Sequence, residues 1–273
     1  MTTNISMSPT KSIKWMKEPC RKLVNKLRFK KHYNQETKRS IKMALTIYTF
    51  PFAGGSKYSY NLYRRYLPAD IHFEPLELPG RGERITDDLV PNLEQMAEEL
   101  YQEIKGNLPD RFIFYGHSMG TLLAYLITKK LQEANEKLPF HLILTGAAGP
   151  SNEERERDRH QLPKAAFKAK LEEYGGSPSE VLENTELFDF FEPILRNDFK
   201  AVETYSYKEI LEKLPIPITT IYGMSEQLTR EEVQLWERET SESFEVRQLP
   251  GGHFFIFDYP AEVVKTILNK VYA

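Results

Sequence analysis

The pentapeptide Gly116-His117-Ser118-Met119-Gly120 sets a serine between two glycines, each two positions away. A serine hydroxyl is a weak nucleophile until a base takes its proton. What this spacing offers is a tight turn that lifts the side chain clear of the backbone. Residues two before and two after the serine would collide in such a turn if they carried a Cβ, and Gly116 and Gly120 remove that collision. The five-residue pattern alone also occurs by chance. Its flanks give it weight: the apolar run 111–115 (RFIFY) enters it, and a helix-like stretch with Leu122, Leu123, Ala124, Leu126 and Ile127 leaves it. A strand–turn–helix of this kind aims the Ser118 Oγ out of the carboxyl edge of a sheet. It also sets the Met119 N–H at a helix N-terminus, where developing negative charge is stabilised. The chemistry implied is attack of Ser118 on an acyl carbon, with an oxyanion to be held. The bland alternative is a serine in a glycine turn without chemistry.

That chemistry needs three more parts. In α/β-hydrolases, where such an elbow recurs, a second oxyanion N–H comes from the loop after an early strand, and the order along the chain is Ser, acid, His. The loop here is Pro51-Phe52-Ala53-Gly54-Gly55-Ser56, with the Ala53 N–H as candidate donor and the Phe52 N–H next. Of the histidines, His32 lies near the N-terminus, His72 and His141 sit in strand-like runs, His117 braces the elbow, and His160 belongs to a charged stretch. His253 follows the last strand-like run on a glycine loop, Pro250-Gly251-Gly252-His253-Phe254-Phe255, where the base is required. The acid should follow the penultimate strand, and Glu226 in Gly223-Met224-Ser225-Glu226 is the candidate that would orient His253. Its alternative is a solvated loop carboxylate. Asp198 falls outside that position, and Asp258 is expected to cap the last helix.

The elements that would position these residues follow from alternation. Runs at 44–50, 71–76, 111–115, 140–145, 217–222 and 244–249 are short, rich in β-branched and aromatic residues, and bounded by Pro or Gly. Helical stretches lie between them at 92–106, 119–134, 230–239 and 260–272. This pattern predicts an α/β fold, a mostly parallel central sheet with helices on both faces. Residues 151–213 break the alternation with charged and aromatic helix-like pieces, and are expected to form a helical lid insertion capping the site.

Composition narrows the classes. The 273 residues suit one large domain, and no apolar stretch approaches a bilayer span. No secretory signal is expected. Cys20 is the single cysteine, so a reducing, cytoplasmic setting is expected. Residues 1–43 hold 12 basic and 2 acidic residues, whereas the other 230 hold 25 and 37. A basic N-terminal extension therefore precedes an acidic domain spanning 44–273. The acidic balance of the domain argues against nucleic acid as a partner. Within the extension, Ile13, Met16, Cys20, Leu23, Val24 and Leu27 recur near helical spacing among lysines and arginines. An amphipathic helix on an acidic membrane or partner is one reading. A disordered extension, or an artefact of start-codon choice before Met43, is the favoured one.

The residues also resemble a known family, the type II thioesterases that accompany nonribosomal peptide and polyketide synthases. FPFAGGSKYSY (50–60), LELPGRGERI (76–85), GHSMG (116–120), YGGSPSEVL (174–182), LRNDFKAVETYSY (195–207), the stretch from Gly223 to Trp236 and Thr240, and PGGHFF (250–255) follow the family's motifs in order. The resemblance implies an α/β-hydrolase fold and hydrolysis of acyl thioesters on the phosphopantetheine arm of acyl or peptidyl carrier proteins. It implies Ser118 as nucleophile, His253 as base, and the Met119 and Ala53 amides as oxyanion donors. No metal or organic cofactor is needed, and a monomer is expected. Two features depart from the family: Glu226 stands where Asp is usual, and residues 1–43 have no counterpart. Arg81 and Arg84 could meet the pantetheine phosphate or simply sit on the surface. Phe52, Tyr58, Phe254 and Phe255 are candidates to line an acyl channel. The elbow and triad do not separate a thioesterase from a carboxylesterase or acyl-CoA hydrolase of the same fold. A non-catalytic binding protein is the remaining alternative, resting on the Asp-to-Glu change.

Overall fold

A computed structural model describes residues 45–154, 157–209 and 211–272. The expectations for residues 1–43 lie outside the described residues. All six expected strands are present: β1 (Leu45–Phe50), β2 (Ile71–Pro75), β3 (Phe112–His117), β4 (Leu142–Thr145), β5 (Ile218–Gly223) and β6 (Phe244–Leu249). They form one sheet in the order β2-β1-β3-β4-β5-β6, with every neighbour parallel. The helices are α1 (Leu93–Ile104), α2 (Met119–Glu133), α3 (Lys164–Tyr174), α4 (Ser179–Glu183), α5 (Thr185–Thr204), α6 (Arg230–Gln234), α7 (Phe255–Asp258) and α8 (Pro260–Val271).

Parallel strands need covered faces, and the two cores show how the sequence supplies them. Alternate residues point to opposite sides of a strand. Tyr48, Phe50, Phe112, Phe114, Leu142 and Leu144 meet α1 and α2 on one side. Ile47, Ile113, Tyr115, Ile143 and Ile221 meet α7 and α8 on the other, together with a 3-10 segment, Lys57–Tyr66. The strand-and-helix alternation does not predict that segment, whose Tyr60 and Tyr63, three apart, bury the face it turns inward. The central strands β1, β3, β4 and β5 are buried throughout, while the edge strands β2 and β6 are partly open.

Between β4 and β5 the alternation gives way to α3, α4 and α5, as the strandless stretch predicts. They have a small core of their own, built on Phe167, Leu171, Leu182, Phe188 and Leu195. One expectation fails near the C-terminus. Asp258 does not cap α8; Tyr259 is the N-cap residue and contributes no side-chain bond, and Pro260 opens the helix. Proline is pre-set for that first position and lacks the N–H that would otherwise go unpaired.

Candidate active site

β3 runs into the elbow, and Ser118 adopts φ 53° and ψ −119°, a backbone region costly for a residue with a Cβ. Neighbouring bonds hold it there. The Ser118 N–H donates to the Thr145 carbonyl at 2.8 Å, and the Thr121 N–H and Oγ1 donate to the Ser118 carbonyl at 3.0 and 2.7 Å. The flanking glycines act as expected. A Cβ on Gly116 would strike the backbone of Gly120, and one on Gly120 would strike the Phe50 carbonyl at the end of β1.

His253 and Glu226 arrive from the two loops at the carboxyl ends of β6 and β5. Ser118 Oγ lies 3.1 Å from His253 Nε2, and His253 Nδ1 lies 2.6 Å from Glu226 Oε1. The second carboxylate oxygen of Glu226 accepts the Gly223 N–H at 2.6 Å, so both oxygens are satisfied in a side chain that is 2 % exposed. Glutamate's extra methylene is thus accommodated by folding the side chain back onto its own strand end. An acceptor-only carboxylate facing Nδ1 places the ring proton there, which leaves the Nε2 lone pair for the serine hydroxyl.

The two loops are themselves joined. Met224 N–H donates to the Leu249 carbonyl at 2.8 Å and Ser225 N–H to the Gly251 carbonyl at 2.9 Å. A Cβ on Gly223 would lie 2.5 Å from both the Gly251 and Gly252 carbonyl oxygens. These are backbone atoms just before His253 and cannot yield without moving it. Gly223→Ala is therefore expected to cost about 1–3 kcal/mol of stability and to lower kcat at least ~10-fold by displacing the imidazole. Urea unfolding and steady-state rates on the folded protein check both parts.

His117 is fully buried behind the elbow. Its Nδ1 lies 3.0 Å from Thr145 Oγ1, whose own hydroxyl reaches the Gly116 carbonyl at 3.2 Å. Burial, with the His253 ring alongside, holds the His117 pKa well below the ordinary histidine value. It is a neutral brace, with its ring centre 4.9 Å from that of His253. Among the other described histidines, His72 pairs with Glu74, His141 with Thr219 and His160 with Glu203.

The two residues expected to supply oxyanion amides border the same space. Met119 is the first residue of α2, where N–H groups have no partner within the helix. In the loop after β1, the Gly55 N–H donates to the Phe52 carbonyl at 2.8 Å. That carbonyl belongs to the same trans peptide as the Ala53 N–H, so the Ala53 N–H points away from the turn. Ala53, Ser118 and Met119 all line a cavity of about 500 Å³.

The cavity corrects two expectations. Of the four candidate aromatics, Phe254 lines it; Phe52 and Phe255 are buried in the core, and Tyr58 is exposed with its hydroxyl on Glu83. The apolar wall comes instead from Leu122 and from Leu171, Leu195, Phe199 and Val202 of the inserted helices. Tyr174, at the end of α3, sets its ring 5.8 Å from that of His253. The Gly175-Gly176 turn signals this packing in the sequence, because the Phe254 ring occupies the space a Cβ on Gly176 would need. Arg81 is also not available to a phosphate. It is buried and gives a two-pronged bond to Asp198 on α5, at 2.6 and 2.8 Å. Arg84 is held by Asp87 and Glu99.

A parallel sheet with a serine elbow at the end of its third strand, and a histidine and a carboxylate on the two later loops, defines an α/β-hydrolase. Residues 45–271 match the thioesterase domain family, and the chain belongs to it, among the type II thioesterases of nonribosomal peptide and polyketide pathways. It is 29 % identical to "Gramicidin S biosynthesis protein GrsT" of Aneurinibacillus migulanus, over 83 % of this chain and 89 % of that one. It is 30 % identical to "Linear gramicidin dehydrogenase LgrE" of Brevibacillus parabrevis, over 84 % and 89 %. Among solved structures, ClbQ from the colibactin NRPS/PKS pathway superimposes with a TM-score of 0.79 at 28 % identity, covering 84 % of this chain and 97 % of that one.

Proposed function

We propose that this chain is a serine thioesterase that removes acyl groups from the phosphopantetheine arm of carrier proteins. The observation that carries the reading is the unbroken line from Glu226 through His253 to Ser118 Oγ, opening onto a cavity that the Ala53 and Met119 residues also line. The Ser118 hydroxyl proton passes to His253 Nε2 as Oγ attacks the thioester carbonyl carbon. The carbonyl oxygen takes the negative charge and meets the two amides. As the C–S bond breaks, the thiolate takes the proton from His253 and leaves as the thiol. A water then gives a proton to His253 and attacks the acyl-serine. Collapse returns the proton to Ser118 Oγ and releases the carboxylic acid. Glu226 holds the imidazole in the right tautomer and stabilises its charged form.

Membership of the synthase-associated family supports carrier-bound thioesters over free esters. The dehydrogenase name of one relative is not carried over, because β1 here opens onto Pro51–Ser56 and not onto a dinucleotide G-x-G-x-x-G turn. The test is kcat/KM on one acyl group presented on a carrier protein, on coenzyme A and on a simple ester. The expected order puts the carrier thioester first. A strong preference for the ester would make the chain a carboxylesterase.

A further inference from the structure

Asp198 is a carboxylate with no exposure at all, set on α5 far along the chain from the elbow. Both of its oxygens are engaged. Oδ1 accepts Arg81 Nη2 at 2.8 Å, and Oδ2 accepts Arg81 Nη1 at 2.6 Å and the Gly54 N–H at 2.8 Å. Arg81 also reaches the Gly55 carbonyl at 3.3 Å. A buried ion pair is a poor way to gain stability, since desolvation of the two charges offsets much of their attraction. This one has a second consequence. It fastens the turn 52–55, which carries the Ala53 N–H, to the helix that walls the cavity.

The same helix presses on the turn a second time. Leu195, three residues before Asp198, fills the space where a Cβ on Gly54 would lie. Gly54 itself sits at φ +76°. The turn is thus pinned from outside at the Gly54 N–H and over the Gly54 α-carbon, and from inside by the Gly55-to-Phe52 bond. Leu195 and Phe199, on either side of Asp198, line the cavity. The element that would contact an acyl chain is the element that fixes the turn.

We propose that Asp198 is a positioning residue for the oxyanion site: it acts through the Gly54 N–H to aim the Ala53 N–H, and Arg81 holds its carboxylate in place. This rests on the serine-hydrolase reading of the site. It follows that the seating of α5 and the strength of oxyanion stabilisation are coupled, so that an acyl group that lifts α5 is turned over poorly.

The test compares two paired replacements. Arg81→Met with Asp198→Leu keeps the volume and the packing but removes the acceptor for the Gly54 N–H. Arg81→Gln with Asp198→Asn removes both charges but keeps an acceptor oxygen. Rates are normalised to sites titrated with a fluorophosphonate. Affinity for an alkyl boronic acid is measured alongside, since its serine adduct places an oxygen in the oxyanion site. The apolar pair is expected to lower kcat by about 10–100-fold, with KM within about threefold and the boronate Ki raised by the same factor as kcat is lowered. The amide pair is expected to stay within about threefold of the parent in both. A purely structural role would change the number of titratable sites and the melting temperature but not the Ki of those that remain. An unmoved Ki in the apolar pair overturns the proposal, as does an amide pair whose Ki rises tenfold or more. A parent protein that binds no boronate sinks the reading of the site itself, whereas parent binding with an unmoved Ki in the apolar pair sinks the positioning role alone.

Discussion

Ser118→Ala is expected to lower kcat on a carrier-bound thioester by four to six orders of magnitude, ~10⁴–10⁶. Without the Oγ there is no covalent route, and what survives is the contribution of binding and of the two amides to direct attack by water. The nearest other hydroxyl on the elbow, Thr121 Oγ1, is bonded to the Ser118 carbonyl at 2.7 Å. The fold should be indifferent to the change. Alanine carries the same Cβ, so the cost of the φ 53° backbone stays in place, and the lost oxygen borders a cavity, not a packed core. Melting within about 2 °C of the parent, an effect inside ±0.5 kcal/mol, would assign the rate loss to chemistry. Retention of even a tenth of the parent rate would remove Ser118 from the mechanism.

Glu226→Gln should cost nearly as much, about 10⁴ in kcat, and the structure explains why an isosteric change does so. The Gly223 N–H donates to this side chain at 2.6 Å and requires an oxygen there. Glutamine must therefore turn its carbonyl toward Gly223 and its NH2 toward His253 Nδ1. A donor facing Nδ1 forces that nitrogen to accept, which moves the ring proton to Nε2, pointing at Ser118 Oγ. The base then has no lone pair where the serine proton must go. Glu226→Asp tests the same geometry from another side. One methylene shorter, aspartate cannot span both the Gly223 N–H and His253 Nδ1, and a loss of about 10²-fold is expected. An aspartate variant as active as the parent would show that the loop, and not the side-chain length, sets the orientation of His253. Steady-state kinetics with coincident unfolding curves checks both variants.

How far these features can be read from the chain depends on how local they are. The elbow is legible because its strand, turn and helix are contiguous and Gly116 has a steric reason that holds within five residues, whereas the contact that requires Gly120 comes from Phe50 at the end of β1. His253 and Glu226 are legible through order along the chain, each following an apolar strand run. The sheet is legible because parallel strands buried on both faces leave short, continuous apolar runs. The cavity wall is not. Leu195, Phe199 and Val202 share one face of α5 at helical spacing, but Leu122 comes from α2 and Leu171 from α3, and nothing in the sequence says that these three helices meet around one space. The aromatic residues near the motifs look better placed, yet Phe52 and Phe255 are taken up by the core.

The Arg81–Asp198 pair shows the limit most clearly. Arg81 sits in a glycine loop where a surface cation is the ordinary expectation, and its partner is 117 positions away. A signal does exist within α5. Ile194, Asp198 and Ala201 recur at helical spacing and are all buried, so a charged residue occupies the apolar stripe of the helix. A carboxylate in such a stripe must find a cation or a donor, and the sequence cannot say which.

The proposed chemistry requires that acyl transfer pass through Ser118 Oγ. The direct measurement is titration with a fluorophosphonate, with the labelled peptide identified by mass spectrometry and hydrolysis of a carrier thioester followed in the same sample. The expected result is one label per chain, on Ser118, with activity falling in proportion to labelling and no labelling in His253→Ala on the same timescale. Full thioester hydrolysis by protein completely labelled at Ser118, or a label that falls on another residue, would contradict it.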